Sequence, residues 1–231
     1  MKAAARSPSL RNGVLLNPTD SIGCAGSSTG QRLPLRGRGA RGRGPMMDRA
    51  KVGVMGSADD ALSATERSRL AELAEKLGAA LAKRNCVVVT GATTGLPHLV
   101  SSAARKHGAL TVGISPASNR EEHLNRYRMP EDGAEILIYT GFGFKGRNVV
   151  NVRSSDIVLI FGGATGTLNE FTIAYDEGKV IGVLEGSGGI ADHIREVLAF
   201  CNKTTHATVL FETEPEALID KCLQALESRR S

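Results

Sequence analysis

The chain has 231 residues, of which 41% are hydrophobic, and this length suffices for one full core but not for two large ones. Its formal net charge of +5 is concentrated at one end, because the eight basic and two acidic residues among positions 1–48 carry +6 and leave −1 for the rest. No apolar run approaches the roughly 18 residues that a membrane span needs, so we expect neither a membrane protein nor, outside the basic end, a nucleic-acid-binding one.

Residues 1–48 differ in composition from the rest of the chain. They are rich in Gly, Ser, Pro and Arg, show no hydrophobic period, and end in an Arg-Gly repeat over 36–45. Such a segment cannot bury enough apolar surface to offset its ordering entropy, so the sequence predicts a disordered basic tail. Three interpretations stay open: a stretch upstream of a start at Met46 or Met47, an RNA-binding tail, or an organelle transit peptide within residues 1–45. Without such import we expect a cytoplasmic protein.

From residue 51 onward, strand and helix patterns alternate along the chain. The pattern Ser63-x-x-Glu66 predicts a capping box at the start of the first helix. Polar, irregular residues 116–133 predict a loop or lid, and a glycine-rich turn over 141–146 leads into a short helix that ends near Ser155. The predicted strands are 51–55, 86–90, 110–115, 135–140, 156–161, 180–184 and 208–211, and the other predicted helices are 63–81, 97–107, 167–177, 190–201 and 215–227.

The predicted strands are short, continuous apolar runs, which is typical of strands that are covered by helices on both faces. Their alternation with helices predicts a single Rossmann-like α/β domain over 49–231, with a doubly wound, mainly parallel sheet of about seven strands and helices on both faces. Glycine-rich turns follow the strands, at the edge of the sheet where such folds bind ligands. We therefore expect ligand contacts from these turns, at Gly56, Ser57, Gly91, Thr94 and Gly95.

The four cysteines and five histidines show no ligand spacing. Cys24, Cys86, Cys201 and Cys222 are far apart, with no C-x-x-C pair. This predicts reduced thiols and no disulfide framework, and we expect neither a metal site nor a resident cofactor.

The strongest candidate site is the segment 162–170, which follows the apolar strand 156–161 and opens a helix. Its glycines allow a ligand to approach the main chain, and the helix start supplies free N–H groups and a positive dipole end. The segment predicts a phosphate-binding loop with the carboxylate of Glu170 beside it. A structural alternative is that Thr167-x-x-Glu170 is only a capping box. The predicted phosphate contacts are Gly162, Gly163, Thr165, Gly166 and Thr167.

Other motifs are weaker. The sequence 141–146 matches G-x-G-x-x-G, but it follows a middle strand and no acid ends the next strand, so we do not interpret it as a dinucleotide site. A Walker-type phosphate loop and a nucleophile elbow are both absent from the sequence. Arg147 and Asn148 lie directly after the turn, where an arginine can bind a phosphate or carboxylate through two hydrogen bonds.

Four motifs in order resemble the Lonely Guy (LOG) family, whose members are also labelled "possible lysine decarboxylase". They are Val52-Gly53-Val54-Met55-Gly56, Thr90-Gly91-x-x-x-Gly95, Gly146-Arg147-Asn148 before Ser154-Ser155-Asp156, and Gly162-Gly163-x-x-Gly166-Thr167-x-x-Glu170. The resemblance implies a homodimeric phosphoribohydrolase that cleaves a nucleoside 5′-monophosphate to base and ribose 5-phosphate. It also implies that Arg147 and Glu170 are the catalytic pair, and that Gly163, Gly166 and Thr167 hold the phosphate.

The chain departs from the family pattern at two places. Phe161 replaces a proline and one extra residue precedes Gly166, while Lys145-Gly146-Arg147-Asn148 replaces the usual segment around the arginine. These differences resemble the molybdenum-cofactor carrier branch, which shares the fold and binds a phosphorylated pterin without turnover. A carrier or sensor of a phosphorylated ligand, such as molybdenum cofactor or a signalling nucleotide, therefore stays open beside the hydrolase.

Overall fold

The computed structural model describes residues 49–57 and 64–230. The tail predicted over 1–48, with its three interpretations, lies outside these residues, as does Ser63 of the predicted capping box. Over the described part, no helix is long and apolar enough to cross a bilayer. Cys86, Cys201 and Cys222 are free thiols there, and no group of three or more His, Cys, Asp or Glu side chains could hold a metal ion.

Strands and helices alternate through the described residues in the order that the apolar runs predicted. The strands are β1 Lys51–Gly56, β2 Val87–Thr90, β3 Leu110–Ser115, β4 Ile136–Tyr139, β5 Ile157–Phe161, β6 Val180–Leu184 and β7 Thr208–Glu212. The helices are α1 Ala64–Lys83, α2 Leu96–Lys106, α3 Gly143–Arg153, α4 Thr165–Asp176, α5 Ile194–Cys201 and α6 Pro215–Arg230. A π-turn over Glu122–Arg126 and a 3₁₀-turn over Gly189–His193 complete the set.

The strands form one parallel sheet in the order β4-β3-β2-β1-β5-β6-β7. This confirms the predicted Rossmann-like, doubly wound fold of about seven strands. The chain order reverses at β1, which pairs with β2 on one side and with β5 on the other. In open parallel sheets a ligand crevice forms outside the carboxyl ends of the strands at such a reversal. Gly56 and Phe161 are the last paired residues of β1 and β5, so the crevice begins directly after them.

Alternate residues of the central strands pack into two separate apolar layers. Val52, Val54 and Leu159 face the layer under α1, α2 and α6. Met55 and Ile160 face the layer under α4 and α5. Because a strand has a period of two residues, continuous apolar runs fill both layers at once. Each fully buried side chain of this size contributes about 1.5–3 kcal/mol by leaving water.

The segment 116–133, predicted as an irregular loop or lid, is packed against the end of β3. His123 is fully buried, and its two ring nitrogens lie 2.9 Å from the Ser115 hydroxyl oxygen and 3.2 Å from the Pro130 carbonyl oxygen. The Ala117 carbonyl accepts a hydrogen bond from the Gly141 amide in the turn before α3, and the Pro116 carbonyl accepts one from Gly143, the first residue of α3. The polar composition of this segment therefore gave no sign that it packs against the sheet and supports the start of α3.

Gly78 of α1 lies where α1 and α2 approach most closely. A Cβ atom at this position would lie 2.6 Å from Ala103 Cβ and 2.7 Å from the Val100 carbonyl oxygen. We expect Gly78→Ala to lower the free energy of unfolding by about 1–3 kcal/mol, because backbone atoms of α2 cannot move aside freely. Chemical denaturation measures this change. The exposed substitution Lys76→Ala on the same helix is the control and should stay within about 0.5 kcal/mol of the unmodified chain; equal effects would contradict the close packing.

Candidate functional site

A cleft of about 410 Å³ lies outside the carboxyl ends of β1, β2 and β5, at the point where the strand order reverses. It brings together eight residues that the sequence predicted: Gly56, Ser57, Gly91, Arg147, Asn148, Gly166, Thr167 and Glu170. Its other lining residues are Val54, Met55, Thr93, Pro97, Phe144, Lys145, Asn151 and Ala164. Five predicted residues do not line it: Thr94, Gly95, Gly162, Gly163 and Thr165.

Gly162 and Gly163 shape the loop between β5 and α4 through hydrogen bonds within the protein. The Gly162 amide donates to Ser187 Oγ at 2.9 Å, and the Gly163 amide donates to Ser57 Oγ at 2.8 Å. Both glycines have positive φ, +62° and +96°, and a Cβ at Gly163 would collide with the Thr167 side chain. Their two amides are therefore occupied, and the amides left for an anion are those of the next turn.

The first turn of α4 supplies such amides. The helix begins at Thr165, two residues before the predicted start, and Ala164 at its N-cap position provides no side-chain hydrogen bond. Thr167 is thus the third residue of the helix, and the capping-box alternative for Thr167 and Glu170 does not hold. The first intrahelical bond is from the Leu168 amide to the Ala164 carbonyl at 2.9 Å, so the preceding helical amides have no intrahelical acceptor. At the positive end of the helix dipole, this turn can bind an anion.

Arg147 on α3 and Glu170 on α4 form a buried ion pair on the cleft wall. Arg147 Nη1 lies 3.1 Å from Glu170 Oε1, and both side chains are only 7% exposed. The same Nη1 donates to Asn148 Oδ1 at 3.1 Å, and Asn148 Nδ2 donates to Asn169 Oδ1 at 2.9 Å. The guanidinium group also packs against the α-carbon of Gly91, where any Cβ would collide with it. Side chains from two helices and a glycine after β2 therefore fix the pair.

Burial changes the protonation equilibrium of both members of this pair. It raises the pKa of Glu170 to about 6, and the charge of Arg147, a hydrogen bond from the Asn151 amide and the charge of Lys145 limit that rise. Burial also lowers the pKa of Arg147, although a guanidinium group remains charged in proteins. At neutral pH Glu170 is mainly a carboxylate, and it takes up a proton just below that range. Such a group can stabilise positive charge or exchange a proton with a reactant.

The sequence interpretation missed Asn151, Phe144 and Lys145. Asn151 lies four residues after Arg147 on α3 and therefore on the same helix face, but this spacing has meaning only once the helix start at Gly143 is known. Asn151 Oδ1 and Arg147 Nε are buried and have no hydrogen-bond partner among the described residues. Buried polar atoms normally have partners, so these two indicate where a ligand binds.

The chain is similar to proteins of a known family. Residues 49–219 match the model of the family described as "LDcluster4: SLOG cluster4 family". A Mycobacterium marinum protein named cytokinin riboside 5′-monophosphate phosphoribohydrolase is 30% identical over 175 residues, which are 71% of this chain and 88% of that protein. The predicted resemblance to phosphoribohydrolases of the LOG type is thereby confirmed.

Two solved structures extend the likeness. The X-ray structure of the protein designated TM1055 is 28% identical with a TM-score of 0.66, and the match covers 76% of this chain and 99% of that one. The molybdenum cofactor binding protein of Rippkaea orientalis is 27% identical with a TM-score of 0.57, over 80% of this chain and 99% of that one. The predicted likeness to the carrier branch is confirmed at the level of sequence and fold.

The contact between Gly91 and Arg147 gives a test of the ion pair. In Gly91→Ala the new methyl group must displace the guanidinium group from Glu170. Because the charge of Arg147 lowers the pKa of Glu170, its displacement should raise that pKa above about 6. Carboxyl-carbon NMR across a pH titration measures the change. Lys76→Ala, an exposed change on α1, is the control; an unshifted pKa of Glu170 in Gly91→Ala would show that Arg147 does not depend on this glycine.

Proposed function

Because the chain belongs to the SLOG cluster4 family, we propose that it cleaves the N-glycosidic bond of a nucleoside 5′-monophosphate and releases the base and ribose 5-phosphate. The observation that carries this proposal is the buried Arg147–Glu170 pair, which lies on the wall of a cleft that also includes the uncapped first turn of α4. The name of the Mycobacterium marinum relative supports the same reaction.

The phosphate contacts in this proposal come from the first turn of α4. The amides of Gly166 and Thr167, the residues of this turn that line the cleft, have no acceptor within the helix and lie at its positive end. Lys145, which also lines the cleft, adds a cationic side chain. The absence of a side chain at Gly166 leaves room for phosphate oxygens close to the backbone. These contacts hold the 5′ end of the nucleotide and place its sugar over the floor of the cleft.

The carboxylate of Glu170 acts on the sugar. Cleavage of an N-glycosidic bond leaves positive charge on the ribose ring, which a carboxylate in a buried site stabilises strongly. In the reaction the C1′–N bond breaks and its electron pair leaves with the base, which takes a proton from solvent. A water oxygen then bonds to C1′ and its proton passes to Glu170 and on to solvent. Arg147 is a positioning residue for the carboxylate.

Binding without turnover is the second candidate, and one observation favours it. Glu170 is the only carboxylate among the described residues that line the cleft, and no histidine accompanies it there. The site thus has no second acid to protonate a leaving base. The molybdenum cofactor binding protein of Rippkaea orientalis supports a carrier of a phosphorylated pterin, which would bind through the same α4 amides. A resident cofactor has no role in either candidate.

The proposal includes assembly as a homodimer, as the family resemblance implies, and a cytoplasmic location stays a prediction. Large apolar side chains are exposed on the edge strand β4 and at the start of α3, which supports their burial by a second copy of the chain. They are Ile136, Ile138 and Phe142.

Glu170→Gln tests the reaction directly. The amide cannot carry the negative charge that stabilises the sugar cation, so we expect release of ribose 5-phosphate from AMP to fall about 100- to 1,000-fold. In the unmodified chain the active form is the carboxylate, whose pKa burial raises to about 6. We therefore expect kcat/KM to be constant above that pH and to fall about tenfold per unit below it. A coupled assay for ribose 5-phosphate from pH 4.5 to 8 measures both.

Two outcomes would contradict hydrolysis. One is the absence of ribose 5-phosphate with every nucleoside monophosphate tested, while AMP or a phosphorylated pterin binds the unmodified chain and Glu170→Ala equally well. That result would establish the carrier. The other is undiminished release by Glu170→Gln, which would remove the carboxylate from the mechanism.

Gly166→Ala tests the phosphate contacts separately from the fold. A Cβ at Gly166 meets no atom within 4 Å, and alanine favours a helix, so stability should be unchanged or higher by up to about 1 kcal/mol. Because Gly166 lines the cleft, the methyl group should still obstruct an anion and weaken AMP binding by about tenfold or more. Calorimetry and thermal melting measure the two effects. In contrast, Gly163→Ala should lower the stability of the protein. If Gly166→Ala binds AMP with full affinity, the phosphate does not bind at this turn.

A further inference from the structure

The floor of the cleft holds a hydrogen-bond acceptor that none of the described residues satisfies. Asn151 is 0% exposed and lines the cleft. Its amide nitrogen donates to Met55 Sδ at 3.2 Å, and the same side chain lowers the pKa of the Glu170 carboxyl. The bond to Met55 orients the amide. Oδ1 is left without a partner among the described residues.

The unpaired oxygen requires a donor, and this requirement restricts the ligand. Phosphate and carboxylate oxygens accept hydrogen bonds, so the anionic end of a nucleotide cannot satisfy Asn151 Oδ1. A hydroxyl group can donate to it. Arg147 Nε, one helical turn earlier on α3, is an unpaired donor that can bond to an oxygen of the same ligand. The two orphaned atoms together fit a group that both donates and accepts, which is the property of a hydroxyl.

The position of this acceptor beside Glu170 identifies which hydroxyl it meets. In the proposed function, on which this inference rests, Glu170 faces C1′ of the ribose. The hydroxyl on the adjacent carbon is the 2′-hydroxyl. We propose that Asn151 Oδ1 accepts a hydrogen bond from the ribose 2′-hydroxyl, so that the floor of the cleft is a subsite that selects ribonucleotides over 2′-deoxyribonucleotides.

This subsite has a physical consequence for selectivity. A ligand without the 2′-hydroxyl leaves a fully buried carbonyl oxygen unpaired, and buried sites that hydrogen-bond a hydroxyl reject analogues that lack it. The Asn151 amide also contacts Glu170, so the same side chain connects the sugar hydroxyl to the carboxylate that stabilises the charge on C1′. Hydrogen bonds to the hydroxyl beside the reacting carbon strengthen in the transition state of glycoside cleavage.

The experiment compares two pairs of ligands that differ only in the 2′-hydroxyl. Calorimetry measures the binding of ribose 5-phosphate against 2-deoxyribose 5-phosphate, and of AMP against dAMP. We expect the unmodified chain to bind the ribo-ligand of each pair about 10- to 100-fold more tightly. In Asn151→Leu, the affinity for the ribo-ligand should fall to that for the deoxy-ligand, while the affinity for the deoxy-ligand stays the same.

Each outcome decides for or against the subsite. A preference in the unmodified chain that Asn151→Leu abolishes supports it, and equal affinities for both members of each pair overturn it even if Asn151→Leu does not fold. Equal weakening of ribo- and deoxy-ligands in Asn151→Leu also overturns it, because the oxygen then meets another donor. Selective binding of the ribo-ligands without release of the base would contradict hydrolysis and support the subsite. Equal kcat/KM for AMP and dAMP would support hydrolysis and contradict the subsite. If none of the four compounds binds, both proposals fail.

Discussion

The burial of one ion pair constrains the rest of the site. Arg147 and Glu170 are almost fully buried. The attraction between two buried charges often fails to offset the favourable hydration that both of them lose. The raised pKa of Glu170 has this origin, because the burial effect exceeds the opposing effect of Arg147. A buried ion pair is by itself weak evidence for a structural role. Its position on the wall of a cleft, beside two unpaired polar atoms, is better explained by ligand chemistry.

A few features of the fold position this ion pair. The reversal of strand order at β1 opens the crevice, and the glycine after β2 allows the guanidinium group of Arg147 to lie against the main chain. The Asn148–Asn169 hydrogen bond connects α3 to α4 beside the pair. Ser57 and Ser187, from the turns after β1 and β6, hold the loop that precedes α4. The carboxylate and the anion-binding turn are therefore parts of one rigid arrangement.

Local sequence patterns predicted the sheet and the main site residues, and non-local contacts explain what they missed. Continuous apolar strands are a local property, so the parallel sheet could be derived from them, and Arg147 and Glu170 could be identified from glycine-rich turns and family resemblance. The start of α4 could not be predicted, because Ala164 is not a typical N-cap residue whereas Thr167 is of a type that is preferred there. The occupation of the Gly163 amide by Ser57, 106 residues away, has no local signal. Asn151 was missed for the same reason, since its isolation is visible only after the surrounding elements pack.

The single carboxylate in the cleft argues against hydrolysis only if the leaving base is sealed from water. In the proposed arrangement the phosphate lies at the first turn of α4 and the sugar lies on the floor, so the base must extend toward the mouth. Phe144 lines that mouth and is 43% exposed, and the neighbouring Lys145 is exposed as well. A purine in this position can stack on the aromatic ring and still take a proton from solvent. Because solvent can supply the leaving-group proton, one buried acid whose charge stabilises the sugar cation is sufficient for the chemistry. A carrier that protects its cargo has the opposite need, since it must keep water from the reactive end of the ligand.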